Sequence, residues 1–190
     1  MTMLILGCLL FLGVHSLLIA RPKARDAAVA RWGEAAWKIS YSVVAGVGLV
    51  LIIIGYGAAR PVSGLLYVPP AWGRSATTVL MLPVFPLLLA TYLPGRIQRA
   101  VKHPMLLATA LWAFAHLLTN GGWADAILFG GFLVWAVADM LSFTYRPAKD
   151  IPRLPATRSN DILVVVGGLA LYALFVVSAH GWITGIDLTP

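Results

Sequence analysis

Six apolar runs dominate this chain and leave it little choice of fold. They cover residues 3–20, 40–59, 75–93, 104–120, 123–143 and 161–182. A helix that crosses the hydrocarbon core needs about 20 mostly apolar residues, and each run comes close. Only 11% of the residues are charged and 60% are hydrophobic, whereas soluble domains carry about 25% charge. The expected class is therefore all-α: one polytopic transmembrane helical bundle of about six spans, forming a single domain over residues 1–190.

The basic residues say how such a bundle would sit. Arg21, Lys23, Arg25, Arg31 and Lys38 fall in the first loop, Arg96, Arg99 and Lys102 in the third, and Arg146, Lys149, Arg153 and Arg158 in the fifth. The second loop holds only Arg60 and Arg74, the fourth holds no base, and the tail has Asp187. Positive loops stay inside, so the odd loops are expected in the cytoplasm and both termini outside, in the periplasm of a bacterial inner membrane. The net charge of +7 is dispersed in these clusters rather than along one face, which argues against nucleic acid as a partner. The first run has no basic segment before it and no small-residue cleavage site after it, and so reads as a retained span.

Local signals fit the runs. Pro83 and Pro86 should kink the third span, Pro94-Gly95 should end it, and Pro104 suits a helix's first turn. Ser159-Asn160-Asp161 reads as a capping run for the sixth span. Residues 26–37 alternate charge with Ala27, Val29, Ala30, Trp32 and Trp37, as a helix lying along the interface would, with the tryptophans as anchors. Residues 150–155, with prolines at 152 and 155, read as an extended loop. Gly46, Gly48, Gly55 and Gly57 of the second span, with Ser42, are small residues suited to close helix packing.

Four histidines lie in or beside spans: His15, His103, His116 and His180. An imidazole in a bilayer faces a partner or a cavity. His103 and His116 are 13 positions apart, roughly 20 Å along one helix and on nearly opposite faces, so they do not serve one site. His103, beside Lys102, reads as a boundary residue. His116 shares a face with Thr109, Trp112, Thr119 and Asn120, at spacings of seven, four, three and four. That stripe suits either interhelical hydrogen bonds or a cofactor wall in which Thr109, Trp112 and Asn120 flank a metal-ligating His116. At 1.5 Å per residue, His15 lies about 8 Å, His116 about 18 Å and His180 about 27 Å from the cytoplasmic boundary, so depth leaves His15 and His180 level as partners for His116. Two imidazoles from different helices are a common way to hold a haem iron, and without a Cys-x-x-Cys-His motif the haem would be non-covalent. Cys8, on the His15 face, reads as packing. Asp139 reads as the one carboxylate inside the spans, ion-paired with Arg146 or another loop base.

Several blocks together resemble the NnrU family: Gly13-Val14-His15-Ser16 with Ala20-Arg21, then Lys102-His103-Pro104-Met105, then residues 111–121 around Ala115-His116, then Leu128-Phe129-Gly130-Gly131, and residues 135–139. The resemblance covers nearly the whole chain. It implies a multi-span membrane protein linked to denitrification and nitric oxide handling. The family is similar to the plastid zeta-carotene isomerase, which holds haem b between two histidines and isomerises a double bond in a long polyene. Carried over residue by residue, those ligands correspond to His15 and His116, which implies haem b here and an isomerase-like or redox activity on a membrane-soluble substrate. The alternative is a non-enzymatic accessory or regulatory membrane protein, with no haem and with the histidines as interhelical contacts.

Overall fold

The computed structural model describes residues 1–147, 151–186 and 188. Lys149, Asp150 and Asp187 therefore lie outside the described residues. The described residues form helices and loops, with a single isolated backbone bridge between Leu65 and Gly122. The elements in order are α1 (Thr2–His15), α2 (Leu17–Ala20), α3 (Ala24–Trp32), α4 (Glu34–Ala59), α5 (Gly73–Met81), α6 (Val84–Tyr92), α7 (Arg96–Val101), α8 (Pro104–Leu117), α9 (Trp123–Asp125), α10 (Gly131–Ser142), α11 (Asn160–Leu174) and α12 (His180–Thr184). Two π-helical stretches, Ala126–Gly130 and Phe175–Ala179, join α9 to α10 and α11 to α12.

Among the described residues, four helical stretches are long and apolar enough to cross a membrane: Glu34–Val62, Gly73–Tyr92, Trp123–Ser142 and Asn160–Thr184. The other two apolar runs form shorter helices, α1 and α8, of 14 residues each. At 1.5 Å per residue each is about 21 Å long, less than the roughly 30 Å of a hydrocarbon core. α8 is buried against α5, α6 and α10, while α1 buries only the face it turns to α4, through Leu4, Gly7 and Cys8. Large apolar side chains such as Ile39, Ile53, Val134, Leu163, Val166 and Val177 face outward from the long helices, in keeping with a lipid environment rather than water.

α1 lies along α4 as the closest helix pair. Gly7, Gly48 and Gly55 make that approach possible: an added Cβ would stand 2.6 Å from the nitrogen of Ile52, 2.7 Å from that of Phe11, and against the nitrogen of Leu4, respectively. Gly46 and Gly57 face open space, so only two of the four glycines in this span serve packing. α8 is the central element. It packs on α5, α6 and α10, and Ala108, Ala110, Ala113 and Ala115 are buried along it. α6 in turn carries α11, where Gly168 rides against the backbone of Pro86.

The third apolar run does more than kink. α5 ends at Met81 and α6 begins at Val84, with Pro83 as its N-cap and Pro86 in its first turn. Both prolines thus stand where a missing N–H costs nothing. The expected interfacial stretch is cut by Gly33 at φ +83°: α3 precedes it with Trp32 exposed, while Trp37 belongs to α4 and packs 6.0 Å from Tyr41.

The expected cap of the sixth span is replaced by longer-range bonds. Ser159 is the N-cap of α11 but makes no side-chain cap bond. Asp161 instead accepts from the backbone N–H groups of Arg96 (3.0 Å) and Ile97 (3.1 Å), capping α7. Buried Asn160 donates to the carbonyls of Pro94 (2.8 Å) and Pro155 (3.1 Å). Orphan donors at one helix start are as well served by a neighbouring carboxylate as by a local one. Residues 151–155 form neither helix nor strand and are tied down by the Leu154 N–H donating to the Tyr92 carbonyl (3.0 Å).

Candidate functional site

His116 sits one residue from the end of α8, with the α9–α10 segment against it. Its Nδ1 lies 2.8 Å from the Trp112 carbonyl oxygen. A carbonyl only accepts, so Nδ1 bears the hydrogen of the neutral ring and Nε2 keeps the lone pair. The ring stacks on Phe129 at 4.8 Å and lies 5.4 Å from Trp112. Phe129 belongs to the π-helical stretch, an irregularity that recurs at functional sites.

His15, the last residue of α1, repeats the arrangement. Its Nδ1 lies 2.6 Å from the Phe11 carbonyl oxygen, which leaves Nε2 as the basic nitrogen. Its ring is flanked by Phe11 (4.3 Å), Tyr41 (5.4 Å) and Trp135 (5.9 Å, edge-on). The Trp135 indole N–H is buried and has no hydrogen-bond partner among the described residues. An orphaned buried donor is costly and asks for an acceptor.

The two histidines are joined by a file of rings. Phe11 meets Phe132 at 5.7 Å, and Phe132 meets Trp112 at 5.6 Å. The α9–α10 segment also measures their levels: His116 touches Phe129 and His15 touches Trp135, six residues on. That is a difference of about 9 Å along the axis. His180 begins α12, where its ring meets Phe175 edge-on at 6.0 Å and its Nδ1 is 2.9 Å from the Ile186 carbonyl oxygen.

Of the flanking residues expected on the His116 face, Trp112 and Asn120 come to it. The Asn120 amide donates to the His116 carbonyl at 2.9 Å. Thr109 spends its hydroxyl on the Met105 carbonyl (3.0 Å) of its own helix, and Thr119 lies 3.3 Å from the His116 carbonyl.

Asp139 is not the only carboxylate within the apolar runs. Asp125 is buried at 6% exposure beyond the end of α8. It accepts from the Tyr56 hydroxyl at 2.6 Å and from the Gly122 N–H at 2.9 Å. Arg60 stands 4.0 Å from it and donates to the Asn120 side-chain amide oxygen at 3.4 Å. Arg60, Thr119, Asn120, Gly122 and Asp125 line a cavity of about 370 Å³. The loop between α4 and α5 closes over it: the Leu66 N–H donates to Gly121 (2.8 Å), and the Tyr67 hydroxyl reaches the carbonyls of Leu117 and Asn120. Burial pushes the Tyr67 phenol up, and the Asp125 charge adds to it. The signals for this cluster were an acid three residues after Gly122 at the start of an apolar run and a base in an otherwise nearly neutral loop.

At the opposite end Asp139 pairs with Arg146, as expected, and Ser142 bridges them, accepting from Arg146 Nε at 2.7 Å. The Arg146 guanidinium covers the Phe143 ring at 4.2 Å, and His103 stacks on that ring at 3.9 Å. His103 is the N-cap of α8 but makes no side-chain cap bond. Burial holds its imidazole below the ordinary range, opposed by Asp139 and assisted by Arg146 and Lys102. Lys102 has φ +63° and ψ −52°, and the His103 N–H donates to Val101 at 2.8 Å, which makes a γ-turn. That turn is strained for a residue with a Cβ. Lys102→Gly is therefore expected to exceed Lys102→Ala in stability by about 1 kcal/mol, read from thermal unfolding in detergent. Equal midpoints would mean that the turn carries no strain.

An all-helical bundle with membrane-length apolar helices, and with two backbone-tethered histidines facing an aromatic file, defines a class of integral membrane protein. Within that class the chain belongs to the NnrU family: the family model described as NnrU protein matches residues 3–188. No curated protein and no solved structure matched the chain.

Proposed function

We propose that the chain is a six-pass inner-membrane protein, with both termini outside, that binds haem b through His15 and His116, tilt of α1 or α8 on binding taking up the difference of about 9 Å in their levels. The observation that carries this reading is the twin tethering: each ring donates its Nδ1–H to the carbonyl four residues back and keeps the lone pair of Nε2 for a metal. Neutral imidazoles held in one tautomer by a backbone carbonyl are what an iron ligand requires. Phe11, Trp112 and Phe132 supply apolar faces for a macrocycle, and Asn120 holds the end of the His116 helix. α1 and α8 complete the six passes as short helices that a locally thinned bilayer accommodates. Bound haem would supply redox chemistry or a nitric oxide site, in keeping with the denitrification role that the family resemblance implies, or would serve an isomerisation of a membrane-soluble substrate.

The test is the absorption spectrum of the full chain purified after expression with ample haem. A Soret band is expected, weakened or shifted in both His15→Ala and His116→Ala. No band, or a spectrum unchanged in both variants, would sink the proposal. His180→Ala belongs in the same series, since a change there with none in His15→Ala assigns the second ligand to His180.

Phe132 favours a second reading. It stands between Phe11 and Trp112 as a packed ring, so the histidines equally suit interhelical contacts in a non-enzymatic accessory protein. Complementation separates the two: under this second reading His116→Ala retains function, and changes on the loop surfaces abolish it.

A further inference from the structure

Between α1 and α4 the chain makes a second, different surface. Arg21, Lys23 and Arg31 line an open groove of about 810 Å³, with Ala27, Ala28 and Tyr145 among its walls. α3 builds its floor. Ala24, Ala27, Ala28 and Arg31 recur at helical spacing, so one face of the helix is nearly bare of side chain and ends in a guanidinium. Tyr145 closes the far wall, its hydroxyl held 3.0 Å from the Ile19 carbonyl. Trp32 stands at the rim, 60% exposed, with the Arg31 guanidinium 5.8 Å from its ring.

The charges here are unbalanced in one direction. The nearby acids are spent on other bases: Asp26 pairs with Arg25 at 3.6 Å, and Glu34 with Arg25 at 3.5 Å and Lys38 at 3.0 Å. Arg21, Lys23 and Arg31 have no ion pair among the described residues, and none of the described acids lines the groove. The groove opens where the apolar faces of α1 and α4 end, at the level where lipid headgroups lie if those helices are in a bilayer. A floor of alanines accepts a glycerol backbone or the start of an acyl chain. Three cations with no ion pair among the described residues suit a phosphate carrying net negative charge.

We infer that this groove binds the headgroup of an anionic phospholipid, with Arg21, Lys23 and Arg31 on the phosphate and Trp32 fixing the depth of α3. The inference rests on the membrane placement of the apolar helices and not on haem. A zwitterionic lipid offers the same phosphate but brings its own cation, which the three bases repel.

The experiment uses the full chain in nanodiscs of phosphatidylcholine doped with phosphatidylglycerol, followed by exchange into detergent and mass measurement of the retained lipid. The wild type is expected to keep phosphatidylglycerol in preference to phosphatidylcholine. Single replacements such as Arg31→Gln should lower that retention about fivefold, and Arg21→Gln/Lys23→Gln/Arg31→Gln on the order of a hundredfold. Arg96→Gln/Arg99→Gln removes two bases from the same end but outside the groove, and should change retention less than about twofold. Millimolar inorganic phosphate should not displace the lipid. Equal retention of the two lipids, equal losses in the groove and control variants, or displacement by inorganic phosphate would each overturn the inference. Should the triple variant fail to fold, Lys23→Gln and Arg31→Gln singly decide the matter.

Discussion

Gly55→Ala is expected to unfold the chain at a markedly lower temperature, although it adds a single methyl group. The Cβ would meet the backbone of Leu4, 2.8 Å from its Cα. Backbone cannot swing aside as a side-chain tip can, so α1 must lift from α4 along its length. Overpacking of this kind costs typically 1–3 kcal/mol, and here about 3 kcal/mol is expected because main chain is the obstacle. Lifting α1 also withdraws Leu4 and Cys8 from the cluster they form with Ile52 and Phe129. Gly48→Ala, against Phe11, should behave alike. Gly57→Ala is the control: nothing lies within 4 Å of its Cβ, and alanine is the better helix former by about 1 kcal/mol, so this variant should gain stability. Thermal unfolding in one detergent reads all three. Matching midpoints for Gly55→Ala and Gly57→Ala would mean that α1 does not lie where it is placed here.

These glycines also mark how far the sequence could be read. Gly46, Gly48, Gly55 and Gly57 look alike in the chain, and only the position of α1 separates the pair that packs from the pair that does not. Gly7, the reciprocal small residue, carries no periodic signal of its own. The apolar runs were legible because bilayer thickness imposes a length on each of them. The depth of the histidines was legible for the same reason: counting residues gave roughly 10 Å between His15 and His116, and the α9–α10 segment gives about 9 Å. What stayed hidden depends on contacts between distant residues. Asp161 caps α7 across 65 positions instead of serving its own helix. Asp125 finds Tyr56 across 69, a partner that no local spacing in the chain points to. Local rules assign a polar residue to its nearest helix end, and a bundle lets it choose among several.

Asp125→Ala is the second substitution with a large expected effect. It strands the Tyr56 hydroxyl and the Gly122 N–H, both beside a carboxylate that is 6% exposed. Hydrogen bonds to a charged acceptor are worth about 1.5–3 kcal/mol each, and unpaired donors left in a dry site add their desolvation. Arg60 adds little to this sum. At 4.0 Å, and with a third of its side chain exposed, it is close to a surface pair. The expected loss is about 3–4 kcal/mol, with Tyr56→Phe accounting for about 1–2 kcal/mol of it. In Asp125→Asn one acceptor oxygen survives, so about half of the loss should return. A double-mutant cycle between Asp125 and Tyr56 should show positive coupling of at least about 1 kcal/mol. The damage should reach His116 as well. Gly122 and Asn120 hold the turn that ends α8, and Asn120 bonds the His116 carbonyl. In a haem-loaded protein, Asp125→Ala should therefore broaden or weaken the Soret band where Arg60→Gln leaves it unchanged. An Asp125→Ala variant as stable as the wild type, with Tyr56 uncoupled from it, would show that the cluster does not hold this end of α8 together.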